Sequence, residues 1–231
     1  MATIGILWCT YFDRGGKENL KLRVEEAYRP PSLFARVMQK QNHTIKLFCC
    51  DEQLEVTDLN GTTARLHDDV EILYVTTHGL FGQYGHEILL NANNWLVNGL
   101  GQNNLSVAIF DTCSLIEQNQ AWKTAWTKAK PGNKLRLLLG FDGPAGIDRG
   151  LALRGKAFAE NLTGGDTFAD AWIKAVGATS IQPFWRRINM KAVAIGIGDT
   201  ANEATKALNT MTLANMLGAR PGQAIEFVER Y

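Results

Sequence analysis

The sequence predicts an α/β protein in which a mainly parallel β-sheet lies between layers of helices. Short apolar segments rich in β-branched residues recur along the chain, and helix-like segments separate them. The apolar segments are nearly continuous rather than alternating, which is typical of strands covered on both faces. These observations favour a three-layer, doubly wound domain, and the 231 residues are expected to form a single domain over residues 1–231.

Six segments have the length and the abrupt ends of strands. They are residues 3–9, 44–50, 70–77, 105–111, 135–142 and 190–197. Five further segments carry apolar residues at helical spacing, with helix-start or helix-end signals. They are residues 31–41, 116–130, 150–166, 167–178 and 202–217. Alternation of the two kinds of segment supports the doubly wound arrangement.

Composition argues against several classes of function. The formal net charge is +1, from 24 Lys+Arg and 23 Asp+Glu, so no global field favours nucleic acid or a membrane surface as a partner. Arg186 and Arg187, with Lys191 close by, are interpreted as the solvated approach to a strand. The four cysteines are too irregularly spaced for a disulfide framework or a zinc site. We therefore expect a cytoplasmic protein with no membrane segment, no metal and no cofactor.

The ends of the third and fourth predicted strands carry the candidate chemistry. The third strand leads into Thr77-His78-Gly79, and the fourth leads into Asp111-Thr112-Cys113. Open parallel sheets bind ligands beyond the carboxyl ends of their strands. Adjacent strands lie about 4.8 Å apart, so His78 and Cys113 are expected to reach the same substrate. Taken singly, each residue is more often a loop or packing residue; their occurrence at successive strand ends favours a shared site.

A cysteine beside a histidine is suited to acyl transfer. The thiolate is the nucleophilic form of cysteine, and an imidazole can generate it and then protonate a leaving amine. Gly79 allows a sharp turn and places its N–H, together with the N–H of Cys113, where both can stabilise a developing oxyanion. The spacing thus predicts His78 as acid and base and Cys113 as nucleophile.

The two blocks "ILYVTTHG" and "VAIFDTCS" resemble those of the caspase-like cysteine peptidases, which include metacaspases, legumain, gingipains, clostripain and separase. The later stretch 150–176 is similar to a segment of gingipain-like bacterial domains. The resemblance implies a caspase-like fold and metal-free hydrolysis of peptide bonds in protein or peptide substrates. It departs from the metacaspase pattern after Cys113, where Ser114-Leu115-Ile116 follows, and it lacks the usual small residue and glycine before His78.

The resemblance also suggests a substrate preference. The residue two positions before the nucleophile is acidic in metacaspases and legumain, and it is Asp111 here. A carboxylate there would bind a substrate Lys or Arg, whereas the plainer interpretation is that Asp111 caps the following turn. Asp13 and Asp142 are weaker candidates for substrate binding at the same edge of the sheet. Cleavage after Asn is a further alternative.

Other motifs are weaker. His86 could be paired with His78 as a metal site, but the spacing fits no standard zinc pattern, and the glycine-rich stretch around it is expected to form a mobile rim. "GIGD" at 196–199 is a fragment of a dinucleotide fingerprint. A catalytically inactive caspase-like scaffold domain is the principal alternative, and a flavodoxin-like or nucleotide-binding domain is a third.

Overall fold

The computed structural model describes most of the chain. The described residues are 1–9, 24–50, 66–77, 79–82, 85–89, 94–96, 100–113, 133–143, 145, 153–179, 190–216, 218 and 226–231. The predicted helix at 116–130 and the side chain of His78 lie outside them. Within the described part, no helix is long and apolar enough to cross a bilayer.

The described chain contains ten strands, four α-helices and a short 3₁₀ helix at Leu66–Asp68. The strands are β1 (Thr3–Trp8), β2 (Thr44–Cys50), β3 (Ile72–Thr76), β4 (Gly79–Gly82), β5 (Gly85–Leu89), β6 (Asn94–Leu96), β7 (Val107–Asp111), β8 (Leu137–Asp142), β9 (Lys191–Gly198) and β10 (Glu226–Arg230). The helices are α1 (Val24–Lys40), α2 (Arg154–Thr163), α3 (Phe168–Thr179) and α4 (Ala201–Thr210). Each of the six predicted strands is present.

The main sheet has seven strands in the order β10-β9-β8-β7-β3-β1-β2. Strands β1, β2, β3, β7 and β8 are parallel, and β9 runs antiparallel to both of its neighbours. The prediction of an α/β fold with a mainly parallel sheet is therefore confirmed. Successive side chains of a strand point to opposite faces of the sheet, and β3 pairs Tyr74 with Ile109 and Val75 with Phe110. Tyr74, Ile109 and Asp111 therefore share one face, while Val75 and Phe110 share the other.

Both faces of the inner strands β1, β3, β7, β8 and β9 are buried, which is compatible with a three-layer arrangement. One face packs against all four described helices through Phe34 of α1, Phe158 of α2, Trp172 of α3 and Leu208 of α4. The Phe34 and Phe158 rings stack at 5.5 Å, and Trp172 meets Phe158 edge to face at the same separation. The opposite face buries a second apolar cluster. Burial on both sides explains why the segments of the inner strands lack polar alternation, whereas the edge strand β2 is partly exposed.

Helix α4 approaches strand β9 closely because two glycines lie beneath it. A Cβ on Gly196 would lie 2.0 Å from the carbonyl oxygen of Ala204, and one on Gly198 would lie 2.4 Å from the backbone nitrogen of Ala204. Neither position can carry a side chain without moving the helix. The glycines of "GIGD" therefore serve helix–strand packing.

Three features differ from the predictions. The glycine-rich stretch after His78, expected to be a loop that forms a mobile rim, contains β4 and β5, which form an antiparallel hairpin and join β6 in a second sheet; its mobility stays a prediction. Helix α1 starts earlier than the predicted 31–41 and contains Pro30 and Pro31. Strand β10 was not predicted. It has only five residues, EFVER, and it is an edge strand of the main sheet in the described part of the chain. Strand β10 depends on its pairing with β9, which is distant in the chain, so local pattern alone did not reveal it. By contrast, β4, β5 and β6 pair with their neighbours in sequence.

Candidate active site

The carboxyl ends of β3 and β7 form the centre of the candidate site. The two strands are hydrogen-bonded neighbours, run parallel, and pair Thr76 with Asp111. His78 follows Thr76 by the same number of residues as Cys113 follows Asp111. Parallel strands in this register deliver the segments that follow them to the same edge of the sheet. The predicted adjacency of the two strands is therefore observed.

The predicted catalytic histidine, His78, lies in the sequence between the end of β3 and the start of β4. Thr77 is buried at the end of β3, and Gly79 begins β4 opposite Ile88 of β5. His78 itself lies outside the described residues, so its distance from Cys113 is not part of the description. The predicted roles of His78 as acid and base, and of the Gly79 N–H as an oxyanion donor, stay predictions.

Cys113 lies two residues beyond Asp111 and is half-buried. Its Sγ is 3.3 Å from the carbonyl oxygen of Ala145, to which the thiol can donate, and 3.3 Å from the Ala145 backbone nitrogen, whose N–H donates to the sulfur. Ala145 follows Gly143, which has a φ of 102° in the turn after β8. Glycine permits this left-handed conformation, and the Ala145 backbone two residues later contacts the sulfur.

The protonation of Cys113 is set by opposing effects. Burial raises the pKa of the thiol above its ordinary value, and the Asp111 carboxylate adds to that increase. The Ala145 N–H and the Arg154 guanidinium act in the opposite direction without reversing it. At neutral pH the sulfur is therefore held as a thiol by the described residues. Nucleophilic attack needs a base to remove the proton as the bond forms.

A buried ion pair lies beside this thiol. The Asp111 carboxylate accepts two hydrogen bonds from Arg154, one from Nε to Oδ2 at 3.2 Å and one from Nη2 to Oδ1. The Tyr74 hydroxyl donates to Asp111 Oδ2 at 2.9 Å. Arg154 is 1% exposed and Asp111 and Tyr74 are 0% exposed. A forked, fully satisfied contact of this kind offsets part of the large cost of burying two charges.

Neighbouring groups stabilise the charged arginine. Its guanidinium carbon lies 4.8 Å from the centre of the Phe141 ring, and Nη1 is 3.8 Å from the Met190 sulfur. Burial lowers the pKa of Arg154, but the Asp111 carboxylate outweighs it and the net pKa is raised. Burial, followed by the Asp111 charge, raises the pKa of Tyr74 well above its usual value. Arg154 is thus charged and Tyr74 is neutral throughout the physiological range.

This geometry bears on the predicted substrate-binding role of Asp111. Both carboxylate oxygens are engaged by side chains of the same chain, and none of the residue is exposed. An internal arginine occupies the position that a substrate Lys or Arg would need. The observed arrangement favours a structural ion pair over recognition of a basic substrate, because the carboxylate's charge is already balanced.

Sequence reasoning missed Arg154 and Tyr74. Arg154 begins α2 and looks like an ordinary surface cation in the sequence, while Tyr74 lies within an apolar strand. The available signal was the tyrosine, because a buried Tyr hydroxyl usually has a hydrogen-bond partner. A second buried feature is the Thr112 hydroxyl, which has no hydrogen-bond partner in the described structure.

The secondary candidates receive little support. Asp142 forms an ion pair with Lys191, with Nζ 3.5 Å from Oδ2, and Asp13 lies outside the described residues. His86 lies in β5 opposite Phe81, and no group of three or more potential metal ligands occurs among the described residues. The N-terminus of α4 is capped by its own residues, since Glu203 accepts from the Asp199 N–H at 2.9 Å.

Comparison with known protein families gives a match over most of the chain. The family model described as "Domain of unknown function (DUF6345)" matches residues 36–208, which include both strand ends of the candidate site and the Asp111–Arg154 pair. No curated protein matches the chain.

Proposed function

Because the chain belongs to the DUF6345 family, a domain of unknown function, we propose its activity from the site: a cysteine endopeptidase of the caspase-like kind, with Cys113 as nucleophile and His78 as acid and base. One observation carries the proposal. Strands β3 and β7 are parallel neighbours with Thr76 opposite Asp111, so the two strands lead toward His78 and Cys113 at equal offset. The caspase-like form of the α/β fold is part of the proposal.

The proposed reaction follows from the two side chains. The imidazole of His78 accepts the thiol proton as Cys113 Sγ attacks the substrate carbonyl carbon, and the N–H groups of Gly79 and Cys113 stabilise the oxyanion. The imidazolium then protonates the departing amine, leaving an acyl-enzyme that water hydrolyses with His78 as base. A base is needed because burial raises the pKa of Cys113. None of the four cysteines forms a disulfide. The proposal includes a cytoplasmic, reducing environment, which would keep the Cys113 thiol reduced.

The proposal does not extend to cleavage after Lys or Arg. The carboxylate on which that preference rested is paired with Arg154, so the net charge of the pair offers no attraction to a basic side chain. A fluorogenic peptide library that varies the residue before the scissile bond is therefore the appropriate substrate.

The first test compares Cys113→Ala with Cys50→Ala. Both cysteines are half-buried and follow or end strands of the main sheet, so the two changes remove the same atoms from similar surroundings. We expect Cys113→Ala to abolish library cleavage, while Cys50→Ala retains it and both variants unfold at similar urea concentrations. Full cleavage by Cys113→Ala would rule out the proposed nucleophile.

A second candidate function is a catalytically inactive scaffold domain of the same fold. The observation that favours it is the state of Cys113, whose thiol contacts the Ala145 backbone at 3.3 Å and whose pKa is raised by burial. A cysteine held as a thiol and packed against the backbone is typical of an inert residue.

The pH dependence of alkylation separates the two candidates. Since the pKa of Cys113 is raised, the His78→Ala variant should react slowly with iodoacetamide at pH 7 and faster as the pH rises past about 8.5. The peptidase proposal predicts that the unchanged protein reacts faster at pH 7 than this variant. Identical pH profiles would support the scaffold candidate. Mass spectrometry of the Cys113 peptide provides the measurement.

A further inference from the structure

A groove of about 580 Å³ lies along the contact between α1 and α2, and none of its lining residues belongs to the candidate active site. We call it the α1–α2 groove. Arg29 and Leu153 line one end, and Lys40 and Thr163 line the other. It therefore follows most of the length of α2, whose ten residues span about 15 Å. A peptide of about five extended residues, or about ten helical ones, matches that length.

The floor of the α1–α2 groove is aliphatic. Leu33 and Val37 project from α1 and are half-buried, and Leu153 precedes α2 and is 44% exposed. Leu33 and Val37 are four residues apart, which places them on one face of the helix. An exposed leucine that continues a half-buried aliphatic surface offers a contact for an apolar side chain of a partner.

The rim of the groove is strongly basic. Four cations line it, and Glu160 is the one carboxylate among the described lining residues. The cations are Arg29, Arg36, Lys40 and Lys156. Lys156 is paired with Glu160, Nζ to Oε1 at 3.5 Å, whereas none of the other three contacts a carboxylate among the described residues. The whole chain carries a net charge of only +1, so positive charge is concentrated at this groove.

We propose that the α1–α2 groove binds an acidic peptide segment of a partner protein, with at least one apolar side chain seated on the aliphatic floor. Charge complementarity indicates the kind of partner. A cationic rim around an apolar floor matches a peptide in which carboxylates alternate with aliphatic side chains. None of the described residues that line the groove is aromatic, whereas single-stranded nucleic acid is bound by stacking bases on aromatic rings. The proposal is independent of the catalytic activity.

The test uses a fluorescein-labelled peptide of about ten residues in which leucines alternate with pairs of glutamates. We expect saturable binding by fluorescence anisotropy that weakens as ionic strength rises. The double variant Arg36→Gln/Lys40→Gln should bind about tenfold more weakly or worse. The matched control Lys206→Gln, which removes an exposed cation of α4, should bind unchanged.

A second variant tests the floor. Leu153→Ser should weaken binding of the leucine-containing peptide and leave binding of an all-glutamate peptide unchanged. Both groove variants alter exposed side chains, so circular dichroism should report unchanged folding. Absence of binding by the unchanged protein would overturn the proposal. Equal binding of the all-glutamate peptide and the leucine-containing peptide, or tighter binding of a labelled oligonucleotide, would overturn it in favour of a general polyanion surface.

Discussion

The buried Asp111–Arg154 pair gives the sharpest prediction about the stability of this fold. Replacing Arg154 with Met keeps an unbranched side chain over Phe141 but removes the guanidinium. It leaves the Asp111 carboxylate, which is 0% exposed, with the Tyr74 hydroxyl as its remaining described hydrogen-bond partner. Replacing Asp111 with Asn has the converse effect and leaves a buried guanidinium without its counter-charge.

The expected magnitudes follow from the burial of both groups. Removing one partner of a buried ion pair costs about 3–5 kcal/mol, because the remaining charge has no compensation. The double variant Asp111→Asn/Arg154→Met removes both charges, and Tyr74 can still donate to the Asn carbonyl. Its cost should be at most about 2 kcal/mol, since replacement of a complete buried pair by neutral groups is often close to neutral. The two single costs sum to at least about 6 kcal/mol, so the sum should exceed the double cost by at least about 4 kcal/mol.

The measurement is urea-induced unfolding at pH 7, followed by both tryptophan fluorescence and circular dichroism. Coincident transitions and equal slopes are required before the free energies are compared. Lys156→Met is the matched control: it makes a similar change in the same helix, at a residue whose side chain is 49% exposed and paired with Glu160 at 3.5 Å. That change should alter the free energy of unfolding by less than about 1 kcal/mol.

Two results would refute the reasoning. One is a loss of less than about 1 kcal/mol for Arg154→Met, which would place the pair in a solvated environment. The other is a double variant whose loss equals the sum of the two singles, which would show that the groups do not interact. If a single variant fails to fold, recovery of a folded protein by the double variant provides the same comparison.

Two further predictions concern packing. Gly155→Ala would place a Cβ 1.9 Å from the carbonyl oxygen of Pro30, so α1 and α2 must separate, and we expect a loss of about 3 kcal/mol in unfolding free energy. Gly177→Ala is its control: it lies in α3 with nothing within 4 Å of the added Cβ, and it should gain about 0.5–1 kcal/mol in the same assay. Thr112→Val replaces a buried hydroxyl that has no hydrogen-bond partner in the described structure. That change should raise the free energy of unfolding by about 1 kcal/mol. A decrease of similar size in that free energy, measured by urea unfolding, would contradict the prediction.

The candidate site was predictable from the sequence to the extent that it depends on strand order. Two apolar strands ending at His78 and Cys113 indicated neighbouring parallel strands, and β3 and β7 are neighbours. The role of Asp111 was not predictable in the same way. Its partner, Arg154, is 43 residues away in the chain, and nothing local distinguishes an arginine that enters the core from one that faces water.

The fold class and the six predicted strands follow from the amino-acid pattern alone, because inner strands buried on both faces of a sheet appear in the sequence as continuous apolar segments. Which polar groups pair depends instead on the tertiary structure. It placed Arg154 against Asp111 and Tyr74, it joined β4, β5 and β6 into a second sheet, and it brought the cations of α1 and α2 to one groove. The pattern of apolar residues in a segment indicates which residues are buried. Which polar side chains form a buried pair depends on the segments that the fold brings into contact.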